Sequence, residues 1–209
     1  MKIVVIEGNI GCGKSTLLKP LCYEMECKTG EPWQILVEPV DEDEKFHELL
    51  KQFIAFPTDA NKRAEFQNYM TVMRAELLAT VPDGNYILER SLFSDLVFTH
   101  TNMLSTSAPT GEYWNCYWDI SKRLEDYPKP DVLVYLSRDP QACLRSCMKR
   151  DRGGEDAYDL DYFTDLHRFH LACLPQVTRK YNVPYIEMNL GESYASAAEV
   201  ADHIMKTMD

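Results

Sequence analysis

Residues 2–16, KIVVIEGNIGCGKST, confine the fold more tightly than any other stretch of this 209-residue chain. The Val/Ile run reads as a buried strand. It leads directly into three glycines within six positions, then a lysine and two hydroxyls. Glycine in a loop costs backbone entropy, so the loop must return something. Gly8-Asn9-Ile10-Gly11-Cys12-Gly13-Lys14-Ser15 fits G-x-x-x-x-G-K-[ST], with a strand before it and helical spacing after it. In that setting successive backbone N–H groups, running on to Thr16, turn toward one point and cradle phosphate oxygens at a helix N-terminus. Lys14 is placed to reach the β- and γ-phosphates, and Ser15 to set its hydroxyl on Mg²⁺. The loop therefore implies a nucleoside triphosphate and is silent on what receives the phosphoryl group.

A strand feeding such a loop belongs to an α/β sheet, and the rest of the chain agrees. Short apolar runs at 2–7, 34–38, 85–89, 131–136 and 183–188 alternate with helical patterns. Those patterns fall at 14–26, 44–55, 61–80, about 92–103, 112–125, 140–150, 159–181 and 194–207. The expectation is a five-stranded, mostly parallel sheet covered on both faces, in a single domain spanning 1–209. Ligands of such sheets bind beyond the C-terminal strand ends. That rule singles out Glu7-Gly8, Glu38-Pro39, Glu89-Arg90 and Ser137-Arg138.

Composition excludes some classes. A formal net charge of −11 argues against a protein that wraps nucleic acid, which would carry a basic stripe. No run is long enough for a membrane span, and the N-terminal apolar run is too short for a signal peptide. The cysteines are odd in number, seven, without a C-x-x-C pair, and read as free thiols of a reducing, cytoplasmic compartment. Cys143 and Cys147 read as core filler. His167 and His170 read as surface or groove residues, and Trp114, Tyr117 and Trp118 as a stripe for core or subunit packing.

The segments EGNIGCGKST, VEPV, EFQNYM…R, LERSLFSD and RDRGGE stand in the order and rough spacing of the deoxynucleoside kinase family, the deoxycytidine/deoxyguanosine kinase-like group. The chain resembles that family from residue 2 to about 170. The resemblance implies a P-loop NTPase-type three-layer fold, ATP as co-substrate with Mg²⁺, a deoxynucleoside as acceptor, and a homodimer. Glu38 would be the base on the 5′-hydroxyl, which suits a carboxylate in hydrogen-bond reach of an attacking hydroxyl. Arg90 would steady the 5′-oxygen and the migrating phosphoryl, and Glu89 would lie near Mg²⁺. Arg150 and Arg152 would sit on a lid at about 149–157 that closes on phosphates.

By the same resemblance Gln67 would read the paired edge of the base, with Met70 narrowing the space. Gln67 and Arg74 are seven apart on one helix and so share a face. Arg74 and Asp95 would form the charged end of the pocket. An ionised Asp accepts from an exocyclic amino group and repels the carbonyl of thymine, so amino-bearing bases are expected over thymidine. Glu155 would bind the sugar 3′-hydroxyl. Its family partner is a tyrosine, and Phe56 stands at that position. Ser146 stands where the family often has an arginine that stacks on the donor adenine. Two alternatives share the fold: a nucleoside monophosphate kinase, which needs arginines rather than a general base at the acceptor, and a nucleotide-binding subunit without turnover.

Overall fold

The structure is a computed structural model that describes residues 1–38, 40, 42–105, 111–150 and 158–208. Its elements run β1 (Lys2–Gly8), α1 (Lys14–Thr29), β2 (Gln34–Leu36), α2 (Glu44–Ala55), α3 (Ala60–Ala79), β3 (Asn85–Glu89), α4 (Leu92–Ser105), α5 (Gly111–Asp126), β4 (Val132–Arg138), α6 (Pro140–Arg150), α7 (Leu160–Tyr181), β5 (Tyr185–Gly191) and α8 (Ala197–Met208). Among the described residues the strands form one parallel sheet in the order β2-β3-β1-β4-β5. This is the expected five-stranded sheet flanked by helices.

The order follows from burial. Residues 3–7 of β1 are almost completely buried, with Val4 and Ile6 packed into one apolar layer and Ile3 and Val5 into another. A strand apolar on both faces must lie centrally with helices on each side. The first layer joins β1 and β4 to Leu18 and Leu21 of α1, Cys143 and Cys147 of α6, and Ile204 of α8. The second joins them to Leu92 and Phe93 of α4, Leu124 of α5, and Leu166 and Leu174 of α7. Cys143 and Cys147 thus fill core, as expected, and burial pushes the Cys143 thiol up to about 12.

Several boundaries differ from the sequence reading. Strand β2 ends at Leu36 rather than 38, because Val40 N–H donates to the Glu38 carbonyl at 2.8 Å and turns the chain off the sheet. That exit frees the Glu38 side chain to face the cleft. Strands β4 and β5 run two and three residues further than expected. Helix α8 begins at Ala197, so Tyr194, expected inside it, lies in the loop after β5.

One residue reading is corrected and another is narrowed. His170 is not a surface or groove residue: it is fully buried, with its ring stacked on Tyr135 at 5.2 Å, and burial drives its pKa down to about 3. Trp114 and Trp118 are not core: they are 44% and 65% exposed on α5, linked edge to face through Tyr117. Helix α5 buries its Tyr113, Cys116, Ile120 and Leu124 side instead. Among the described residues no helix is long and apolar enough to cross a membrane.

Candidate active site

The glycine loop joins the end of β1 to α1. Gly13 is the N-cap, with φ 102° and no side-chain hydrogen bond to the first turn, which leaves the helix N-terminus to an anion. Gly11 has φ 70°, and a Cβ there would stand 2.3 Å from the Cys143 carbonyl oxygen of α6. The loop is braced from behind. Asn9, fully buried, donates to the Phe163 carbonyl at 2.9 Å and accepts from Ile10 N–H at 2.8 Å. The side chains of Asn9 and Cys12 therefore shape the loop from within, while Ile10 lines the cleft.

Lys14 lies across the loop, donating to the Gly8 and Asn9 carbonyls at 3.2 and 2.9 Å. Burial, and then the Arg90 guanidinium, push its pKa below the usual lysine range, while Cys12, Glu89 and Glu7 oppose that shift. Ser15 Oγ donates to Glu89 Oε1 at 3.2 Å, and that carboxylate lies 4.0 Å from the Lys14 ammonium. A hydroxyl and a carboxylate side by side form an all-oxygen donor set, the type Mg²⁺ takes. Ser15 and Glu89 therefore fit the expected metal. Thr16 lines the same cleft.

The other side of the cleft is built from the segment after β2, from α3 and from the start of α4. Arg74 Nε donates to Glu38 Oε1, and Arg74 Nη1 to Asp95 Oδ1. Gln67 Nε2 donates to the same Asp95 oxygen at 3.1 Å. Asp95 is fully buried, and its other oxygen, Oδ2, has no hydrogen-bond partner among the described residues. Met70, 5% exposed, completes the wall one turn from Arg74.

Arg90 is set between the two halves. Its backbone is left-handed, φ 67°, a conformation that costs a non-glycine residue about 1–3 kcal/mol and tends to mark functional positions. Arg90 N–H donates to the Ile6 carbonyl at 3.1 Å, and its guanidinium lies 4.8 Å from the centroid of the Phe98 ring. Both halves open into one cleft of about 580 Å³, a size suited to small ligands. Its far wall is apolar, formed by Phe46, Leu50, Phe53 and Phe66.

Of the residues singled out in the sequence, Lys14, Ser15, Thr16, Glu38, Gln67, Met70, Arg74, Glu89, Arg90 and Arg150 all line this cleft. Asp95 is not itself in the lining but is bonded to Gln67 and Arg74, which are. Phe56 is not in the lining either: it lies at the end of α2, 46% exposed, with Lys62 Nζ 3.2 Å from its ring centroid. Arg152, Glu155 and most of the 149–157 segment lie outside the described residues.

Sequence reasoning passed over Tyr194 and Tyr162, and marked Arg138 as a strand-end residue without giving it a role. Arg138, 5% exposed, donates to the Gly11 carbonyl at 3.0 Å and to Ser146 Oγ at 2.9 Å. Its guanidinium lies 3.9 Å from the centroid of the Tyr194 ring. A Cβ at Gly13 would meet that ring at 2.6 Å, so Tyr194 lies against the entrance of the phosphate loop. The Arg138 signal was its place at a strand end. Tyr194 and Tyr162 carried no motif.

Comparison with known proteins accords with this geometry. The family model for deoxynucleoside kinase matches residues 4–209. Human deoxycytidine kinase is 26% identical, the match covering 90% of this chain and 80% of that one. A thymidine kinase of ictalurid herpesvirus 1 is 33% identical, over 82% of this chain and 74% of its own. The structure of deoxyadenosine kinase from M. mycoides with bound dCTP superposes with a TM-score of 0.72 at 24% identity, covering 99% and 98% of the two chains, and so supports the fold. With a glycine-rich loop at a helix N-terminus and a carboxylate-bearing pocket opening into one cleft, and the family model spanning nearly the whole length, the chain belongs to the deoxynucleoside kinase family and is a phosphotransferase.

Proposed function

We propose that this kinase transfers the γ-phosphoryl group of ATP to the 5′-hydroxyl of a 2′-deoxynucleoside and prefers cytosine, adenine or guanine over thymine. The observation that carries the base preference is Asp95. Its buried, unpartnered Oδ2 needs a donor, which an exocyclic amino group supplies and the carbonyl of thymine does not. Relatives bear the names of both deoxycytidine and thymidine kinases, so the preference rests on this residue rather than on them.

In this reading Gln67 and Arg74 hold the paired edge of the base. Glu38 accepts the 5′-hydroxyl proton as the oxygen attacks phosphorus, and ADP leaves. Lys14, Arg90 and Arg150 face the negative charge that moves from donor to acceptor. Mg²⁺, held by Ser15 and Glu89, would neutralise phosphate charge when bound. Tyr194 and Arg138 offer the donor base a flat surface at the loop entrance. Arg152 and Glu155 on a closing lid, a cytoplasmic location and a homodimer packed on the exposed Trp114 and Trp118 belong to the same proposal.

The test is initial rates with ATP and Mg²⁺ on deoxycytidine, deoxyadenosine, deoxyguanosine, thymidine and thymidylate, beside a Glu38→Gln variant. Turnover of the amino-bearing nucleosides and a fall of about 10²-fold or more in the variant are expected. Preference for thymidine would overturn the base assignment, and reaction with thymidylate alone would overturn the acceptor assignment.

A further inference from the structure

Glu7, the last side chain of β1 before the phosphate loop, has no place in the chemistry above, yet it is fully buried. Its Oε1 accepts from Ser91 Oγ at 2.7 Å, and its Oε2 is buried without a hydrogen-bond partner among the described residues. Burial raises its pKa, opposed first by Arg90 and then by the Ser91 hydrogen bond. A carboxyl group kept at such an unfavourable place calls for a reason.

Ser91 supplies it. The residue is fully buried and follows Arg90, whose backbone is left-handed. Ser91 Oγ also accepts from Phe93 N–H at 3.3 Å, and the Ser91 carbonyl accepts from Ser94 N–H at 3.1 Å and Ser94 Oγ at 2.9 Å. Ser91 therefore caps α4 while its own proton is committed to Glu7. Helix α4 carries Asp95 in its first turn. The strained Arg90 turn is thus held on its two sides: by Arg90 N–H on the Ile6 carbonyl, and by the Ser91 hydroxyl on Glu7. Ile6 and Glu7 are consecutive residues of β1, immediately before Gly8. A buried atom of the Arg90 guanidinium, Nη1, has no hydrogen-bond partner among the described residues. The Arg90 side chain has few bonds of its own to aim it, so its backbone must.

We propose that Glu7 is a positioning residue: through Ser91 it fixes the left-handed Arg90 turn, and with it the start of α4, against the strand that carries the phosphate loop. The inference rests on the proposed role of Arg90 at the transferring phosphoryl group. Glu7 touches neither substrate. It acts by accepting one hydrogen bond, so shape and an acceptor oxygen matter more than charge.

The test uses the full chain with Ser91→Ala, Glu7→Leu, Glu7→Gln and the Glu7→Leu/Ser91→Ala double variant. For Ser91→Ala, kcat should fall about 10–100-fold, the range a slightly misplaced group produces. KM for ATP and nucleoside should stay within about threefold, while the melting temperature should fall by several degrees from the lost cap and the unpaired Glu7 oxygen, with the protein still folded at the assay temperature. Glu7→Leu should lose as much as Ser91→Ala, Glu7→Gln should recover most of that loss, and the double variant should be no worse than either single change. A second readout needs no substrate: the Arg90 Nε–H resonance, assigned by its loss in Arg90→Lys, should broaden in Ser91→Ala. Unchanged kcat with an unchanged resonance, additive losses in the double variant, or losses that appear in KM would overturn the proposal. If wild type phosphorylates no nucleoside, the functional reading fails, while the resonance still decides whether Glu7 and Ser91 order Arg90.

Discussion

Replacing Arg74 and Asp95 together, by Met and Ala, should erase discrimination between amino-bearing bases and thymine. In the wild-type protein Asp95 Oδ1 is satisfied by Gln67 and Arg74, and Oδ2 is buried without a partner among the described residues. Leaving a buried acceptor unmade costs about 1–3 kcal/mol, more for a charged one. A base amino group removes that cost on binding, whereas thymine leaves it in place and adds a facing carbonyl. The difference of about 2–4 kcal/mol corresponds to roughly 30- to 1,000-fold in kcat/KM. The two changes must be made together. Arg74→Met alone leaves the fully buried Asp95 without its cation, a loss of about 3–5 kcal/mol that confounds binding with unfolding. The double variant removes both buried charges, and Glu38, with a side chain 14% exposed, retains some access to water. The assay is the ratio of kcat/KM for deoxycytidine and thymidine, with a melting curve to confirm folding. A ratio that survives the double substitution would refute the reasoning, because the discrimination is assigned to the unsatisfied Asp95 oxygen that this substitution removes.

Gly11→Ala should destabilise the chain by at least about 1–2 kcal/mol from its left-handed backbone alone, beyond the clash of a Cβ with the Cys143 carbonyl, as read by urea unfolding. Wild-type stability there would show that the loop is not wedged against α6. Tyr194→Ala should raise KM for ATP about tenfold with little change in kcat, the mark of lost ground-state binding, and an unchanged KM would remove Tyr194 from the donor site. Acid should destabilise the protein through His170. Its pKa drops from 6.5 to about 3 by burial, with Arg90, Lys14 and His167 adding to the shift and the Leu166 backbone bond opposing it. Below pH 6.5 the unfolded chain takes a proton that native His170 refuses. Stability is therefore fully present above pH 6.5 and falls by up to about 1.4 kcal/mol per pH unit as pH drops toward 3. Chemical denaturation at pH 7 and pH 5 should show this slope, and His170→Phe should flatten it.

The parts of the site that were legible in the sequence are those in which local pattern decides position. The apolar runs of β1, β3 and β4 place Gly8, Glu89 and Arg138 at strand ends, and the seven-residue spacing of Gln67 and Arg74 puts both on the cleft side of α3. What escaped depends on contacts between distant segments. Tyr194 looked helical because small residues surround it, and only its packing on Gly13 and Arg138 gives it a role. His170 carries the composition of a surface helix, and the Tyr135 ring across the sheet makes it core. Phe56 aligns by count with a sugar-binding tyrosine, but α2 ends just before it and turns its ring to Lys62. A polar periodicity does not reveal which neighbour a side chain will meet.

The pairing of β1 with β3 has a consequence of its own. Ile6 stands level with Glu89, and β1 runs two residues further to Gly8, so the Arg90 turn leaves the sheet about 7 Å before the phosphate loop does, one strand over. Neighbouring strands are held about 4.8 Å apart by their ladder of hydrogen bonds. The sheet therefore serves as a ruler between donor and acceptor. The separation of the two exits is set by the repeat of the peptide ladder, which no side-chain substitution rescales, and the cleft can vary its walls while the gauge beneath them stays constant.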